Sequence, residues 1–218
     1  MKIHGCWLIA LLIIFSAATA ESNPQGEAWG VSIGAGWNTY VGDLNPDADG
    51  RSFNYTITAY RDLDPRTSIE LNFHTGGISG ETRPGLIDAD HLNQVNSYFS
   101  ADVNSIDVAA NWNYINGNWL EAYAGIGLGI MDYSIHDNQG RNLRERPQTR
   151  VEGENYETLI PYAPLKIGFT FFASSQVNLV YERSWNYTNS DYLDNIGLLG
   201  DLGSDWILRR KIAIRYHW

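Results

Sequence analysis

A chain of 218 residues with 44% hydrophobic and 13% aromatic content has room for one domain, or two at most. A formal charge of −10 with no extended basic run argues against a nucleic-acid partner. A single cysteine excludes a disulfide framework.

The amino end carries the marks of an export leader. Lys2 supplies the positive end, Trp7 to Phe15 the apolar run, and Ala17-Ala18-Thr19-Ala20 a small-residue cleavage site. The apolar run is shorter than the ~20 residues that a spanning helix needs. Residues 1–20 are therefore expected to be a cleaved signal peptide, with 21–218 forming one barrel domain. Cys6 would leave with the leader, and the charge would move from −10 to −11, because Lys2 is the leader's only charged residue. No later stretch is apolar for ~20 residues, so a membrane location would require a closed barrel.

Alternation of apolar and polar residues, the signature of a strand, then recurs eight times. Trp29, Val31, Ile33, Ala35 and Trp37 oppose Gly30, Ser32, Gly34, Gly36 and Asn38. Phe53 to Tyr60 and Ser68 to His74 form the second and third strands around the turn Asp62-Leu63-Asp64-Pro65-Arg66. Asp102 to Ile115 and Leu120 to Met131 flank Asn116-Gly117, a hairpin turn signal. The sixth strand runs to Phe172 and contains Pro161 and Pro164, which predicts either a late start or a bulge. Val177 to Trp185 and Trp206 to Trp218 complete the set. Between them, loops 41–51, 76–96, 132–158 and 186–205 are long, and the other three connections are short. This asymmetry predicts an all-β fold, an eight-stranded antiparallel transmembrane β-barrel with short periplasmic turns and long extracellular loops.

Alternation alone does not say which face looks outward. A soluble lipocalin-like barrel would put the apolar face inside, and a membrane barrel puts it outside. Three features favour the membrane. Glycines crowd the polar face, aromatics gather near strand ends, and the chain stops on Trp218. Glu70, Asp107, Glu121 and Glu182 then point into a narrow lumen with Lys166, Arg209, Lys211 and Arg215. Buried charges must pair, so an ion-pair network plugging the interior is expected. Arg210 is left facing lipid near the outer rim, where it can snorkel.

Two stretches carry a family resemblance: Gly34-Ala35-Gly36-Trp37-Asn38-Thr39-Tyr40-Val41-Gly42-Asp43-Leu44 and Ser190-Asp191-Tyr192-Leu193-Asp194-Asn195-Ile196. With them the chain resembles the small OmpA-like outer-membrane barrels of Bacteroidota, a group that includes the type IX secretion barrel subunit PorG. The final strand, with Ile214, Tyr216 and Trp218, looks like the signal read by the outer-membrane assembly machinery. The resemblance implies a location in the bacterial outer membrane, contact with its lipid, and periplasmic or secretion-system proteins as partners.

Candidate chemistry is sparse. Asn45-x-Asp47-x-Asp49-Gly50 begins like a calcium loop, but its twelfth position is Thr56 and lacks the bidentate carboxylate. An acyl-hydrolase site would need a nucleophile, a base and an orienting group at the outer rim. His74, with Ser97, Ser100 and Asp102 as candidate neighbours, is the nearest match; His91 and His136 lie in outer loops. Arg141, Arg144, Arg146 and Arg150 form a basic loop cluster followed by Glu152, Glu154 and Glu157. It reads as a self-paired surface loop or as a site for lipopolysaccharide phosphates or a partner protein. No catalytic residue, metal or cofactor is expected. The function expected is that of a structural or interaction barrel; a narrow porin and an outer-membrane hydrolase acting on lipid A or protein are the alternatives.

Overall fold

The computed structural model describes residues 29–43, 45, 47, 48, 50–81, 97–145, 153, 156–196 and 204–218. The expected leader lies outside them. Eight strands follow one another: β1 Trp29–Val41, β2 Ser52–Asp64, β3 Thr67–Glu81, β4 Tyr98–Asn116, β5 Leu120–His136, β6 Leu159–Phe172, β7 Val177–Thr188 and β8 Trp206–His217. Each pairs antiparallel with the next, and β8 pairs with β1 from Gly30↔His217 to Val41↔Trp206, closing the barrel. Closure leaves no strand edge unpaired, which is the condition for a sheet in lipid.

The short turns are built locally. In the β2–β3 turn, Asp64 accepts from the Arg66 backbone N–H at 2.7 Å and from the Thr67 hydroxyl. In the β6–β7 turn, the Ser174 hydroxyl oxygen accepts from the Gln176 and Val177 backbone at 3.3 and 3.0 Å. Gly117 N–H donates to the Leu120 carbonyl at 3.0 Å between β4 and β5.

The two prolines of β6 produce neither a late start nor a bulge. The strand begins at Leu159, and Pro161 still pairs with Ile130. Pairing lapses between Ile126↔Leu165 and Gly129↔Tyr162, but the register is the same on both sides. Pro164, which has no N–H to donate, sits in the lapse.

The apolar face is outside. Leu128 is 76% exposed, Ile33 68%, Ile126 65% and Ile214 63%, a band of grease that water would not tolerate. The polar face lines the lumen. Its glycines make room for large neighbours: the Tyr60 ring lies where a Gly30 side chain would be, and the Tyr123 ring does the same at Gly168.

The strands run further outward than alternation in one sense predicted, because the sense reverses. On β4, Ile106 and Val108 face out, but beyond them the outward residues are Asn104, Asp102 and Ser100, while Val103, Ala101 and Phe99 turn inward. On β5, outward Ile130 gives way to Asp132 and Ser134, and Met131, Tyr133 and Ile135 are buried. Leaving lipid for water exchanges which face must be apolar. The buried apolar ends gather with Tyr40, Ile78, Leu143, Leu193 and Ile196 into one hydrophobic core above the polar lumen.

Candidate functional site

The lumen is filled in layers. In the lower layer Lys166 lies against Glu70 and, at 3.6 Å, Glu182; Lys211 reaches Glu182 at 3.1 Å and Arg215 reaches Glu70 at 3.0 Å. Tyr123 Oη adds a hydrogen bond to Glu182 Oε2 at 2.7 Å. Five charges, all of them buried, thus tie strands β3, β6, β7 and β8 together across the interior, and Tyr123 joins β5 to them. Charges this deep persist only when each has opposite neighbours and hydrogen bonds.

Three residues expected in that network sit elsewhere. Asp107 has no lysine or arginine within ion-pair distance among the described residues. It accepts from Asn72 Nδ2 at 2.9 Å and Tyr162 Oη at 2.6 Å, and its Oδ2 lies 3.1 Å from His74 Nε2. Arg209 donates to Asn38 Oδ1 at 3.2 Å and Ser105 Oγ at 3.4 Å. Asn38 Oδ1 also accepts from Asn54 Nδ2 at 3.1 Å, so a neutral amide rather than a carboxylate receives this guanidinium. Glu121 stands at the periplasmic mouth, half-buried and apart from the ion pairs of the lower layer. Spacing gave the facing direction of each side chain but not its height, and height decides partners.

His74 is also displaced from its expected role. It lies in the lumen, with Nδ1 2.9 Å from Thr56 Oγ1 and Nε2 on Asp107, well below Ser97, Ser100 and Asp102 on the outer side. Thr56, His74 and Asp107 have the contacts of a hydroxyl–imidazole–carboxylate relay, but they are 2%, 7% and 3% exposed. A relay works only where substrate reaches the hydroxyl.

Above these layers, the two stretches that carried the resemblance meet in one knot. Tyr40 Oη lies 2.7 Å from both Asp194 Oδ2 and Asp205 Oδ1. A phenol has one hydrogen, so two such contacts require a second proton, which Asp205 can supply. Burial first, and the Asp194 carboxylate second, hold the Asp205 pKa well above its ordinary value of 3.8. Asp205 Oδ2 accepts from Leu193 N–H at 2.8 Å, and Asp194 Oδ1 from Ile196 N–H at 2.9 Å. Gly42 is required here, because the Tyr40 hydroxyl and Asp205 carboxylate occupy the place of its missing side chain. Asn195 holds φ 66°, the left-handed turn that an asparagine tolerates, and its side chain accepts from Tyr156 Oη at 2.8 Å. Leu193 and Ile196 are thereby driven into the outer end as a stopper, both 0% exposed.

The remaining candidates are simply placed. Arg141 Nε donates to Asp137 Oδ2 at 2.6 Å, so it is engaged locally. Arg144 is the middle residue of the 3-10 turn Leu143–Glu145, and its backbone N–H donates to Asn142 Oδ1 at 2.9 Å. Arg146, Arg150, Glu152 and Glu154 lie outside the described residues, as does Asp49. Asn45 turns inward and donates to the Tyr40 carbonyl at 2.7 Å. Among the described residues no three His, Cys, Asp or Glu side chains gather as a metal site. Ile214 and Tyr216 face lipid, and Trp218 N–H donates to the Trp29 carbonyl at 3.1 Å at the seam. A cavity of about 320 Å³ opens at the periplasmic mouth, lined by Asp62, Asn111, Glu121, Asn178, Arg215 and His217 among others.

A closed eight-stranded barrel with a lipid-facing apolar band and a charged, filled interior is an integral membrane β-barrel. The chain belongs to the outer membrane protein beta-barrel domain family, which it matches over residues 7–198. Its fold is that of small outer-membrane barrels. Neisserial surface protein A superposes with a TM-score of 0.57 at 12% identity, covering 87% of this chain and 97% of that one. Ail, the attachment invasion locus protein of Yersinia pestis, gives 0.49 at 11% identity, with 88% and 99% covered. OprG from Pseudomonas aeruginosa gives 0.45 at 11% identity, with 90% and 99% covered. No curated protein matches the sequence at a significant level.

Proposed function

We propose that this outer-membrane barrel acts as a structural and interaction protein, neither conducting solutes nor catalysing a reaction. The observation that carries the reading is the filling of the lumen at successive heights, by the Glu70–Lys166–Glu182–Lys211–Arg215 network and then by the apolar stopper. An eight-stranded barrel is just wide enough for its own side chains, so a network of this kind leaves no aqueous path. The enclosed Thr56–His74–Asp107 contact gives a hydrolase no accessible hydroxyl. Binding then falls to the loops, the lipid-facing wall and the periplasmic mouth.

The finer reading is a barrel subunit of a secretion machine of the type IX kind, with periplasmic proteins as partners and the assembly machinery reading Ile214, Tyr216 and Trp218. Its support is the resemblance carried by residues 34–44 and 190–196, together with the open, polar cavity facing the periplasm. Co-purification from native membranes tests it: stable association with periplasmic or secretion proteins is expected, and a barrel isolated alone overturns the machine reading. Planar-bilayer recordings test closure, with no stepwise conductance expected; reproducible steps would favour a narrow porin.

A further inference from the structure

The outer wall carries two arginines side by side. Arg183 on β7 and Arg210 on β8 are direct cross-strand partners, and Arg210 is in turn the partner of Trp37 on β1. Both face away from the lumen, since Glu182, Ser184, Arg209 and Lys211 on either side are buried. Like charges directly opposite on one sheet face repel, and an arginine on the lipid side of a barrel is unfavourable in proportion to its depth.

Their level on the wall is defined by the strands themselves. From the periplasmic end, Arg183 is the first outward polar residue after Val177, Leu179 and Tyr181, and Arg210 the first after Tyr216, Ile214 and Ile212. Thr75, Asn104 and Asp132 hold the same position on β3, β4 and β5, where the outward face changes from apolar to polar. The pair therefore stands at the outer boundary of the hydrocarbon. The Arg183 guanidinium lies 4.8 Å from the Trp185 ring, so it reaches toward the long-loop end, where headgroups are. Arg51, 5.6 Å from the Trp37 ring, brings a third guanidinium to the other side of that tryptophan. Tryptophans of this kind mark the interfacial level.

Among the described residues no carboxylate pairs with any of the three, and Arg183 Nε is buried without an acceptor. Two fork-shaped donor groups held about 5 Å apart at the backbone, flanked by indoles and short of acceptors, match the oxygens of a phosphate. We propose that Arg183 and Arg210, with Arg51 at the edge, clamp the phosphate of an outer-leaflet lipid headgroup against the wall formed by β7, β8 and β1. The bound phosphate relieves the repulsion between the pair, and the lipid's acyl chains lie along Tyr181, Ile212 and Ala35 below it.

The test uses the mature barrel in detergent micelles doped with lipid A, with fully dephosphorylated lipid A, or with phosphatidylglycerol, read by native mass spectrometry and thermal melting. The wild-type protein is expected to retain either phosphorylated lipid and melt higher with it, and to ignore the dephosphorylated one. The R183Q/R210Q variant should lose at least tenfold in retention while keeping its heat-modifiable gel shift, and R141Q/R144Q in the outer loop should leave retention unchanged. Equal retention by R183Q/R210Q, equal binding of the dephosphorylated lipid, or complete displacement by millimolar inorganic phosphate would overturn the assignment.

Discussion

At the scale of single residues, the molecule stakes its outer end on a few buried polar atoms. Asp205 has to be protonated while Tyr40 donates to Asp194, and burial favours that neutral form. A carboxyl whose folded pKa is raised binds its proton more tightly folded than unfolded. Its contribution to stability is therefore complete below its unfolded value of 3.8 and declines as pH rises from there through the raised folded value. Asp205→Asn keeps a neutral donor toward Tyr40 and an acceptor for Leu193 N–H, so it should flatten this decline and leave the barrel more stable at alkaline pH. Denaturant titrations in detergent at a series of pH values, followed by tryptophan fluorescence, check this; an unchanged slope counts against the shared proton. Lower down, Glu182 is the described carboxylate that reaches Lys211 and the acceptor for Tyr123. Glu182→Leu strands a buried ammonium and should cost about 3–5 kcal/mol in the same titration.

At the scale of elements, the segment 190–196 behaves as part of the core although it is a loop. Its backbone is pinned by Asp194 and Asp205, and its two apolar side chains finish the cluster begun by Phe99, Met131 and Tyr133. Ile196→Ala should remove about 2–5 kcal/mol, the range for a buried aliphatic truncated in a well-packed site. Equilibrium unfolding measures it, and a loss under 1 kcal/mol would mean that the stopper is not packed. The strands β4 and β5 carry the same lesson. Their alternation continues through Ser100–Asn104 and Asp132–His136 with the phase reversed, a signal present in the sequence that a search for one apolar face passes over.

At the scale of the whole molecule, closure and filling make one cooperative body. The β8–β1 seam is as continuous as any hairpin, and charges from four strands meet inside it. Unboiled protein in SDS gels is expected to migrate differently from boiled protein, and a barrel that stayed water-soluble and monomeric without detergent would refute the membrane architecture. Because the lumen charges are buried and close-paired, salt up to 1 M should shift stability little, as screening acts mainly on exposed pairs.

The sequence by itself determined the strand count, the alternation of long and short connections, the facing of nearly every side chain and the closed barrel that follows. These depend on period-two geometry and on the absence of other ways to span lipid. Glu70, Lys166, Glu182, Lys211 and Arg215 were legible as lumen charges for the same reason. Only the tertiary structure decided which of them touch. Contacts across a barrel depend on stagger between strands far apart in sequence, and height in the lumen put Asp107 beside His74, Arg209 beside Asn38 and Glu121 at the rim. It also decided that Tyr40 and Asp194, 154 residues apart, share a proton knot, and that Arg183 and Arg210 stand together at the lipid boundary. Periodicity is a property of one strand, whereas a partner is a property of two.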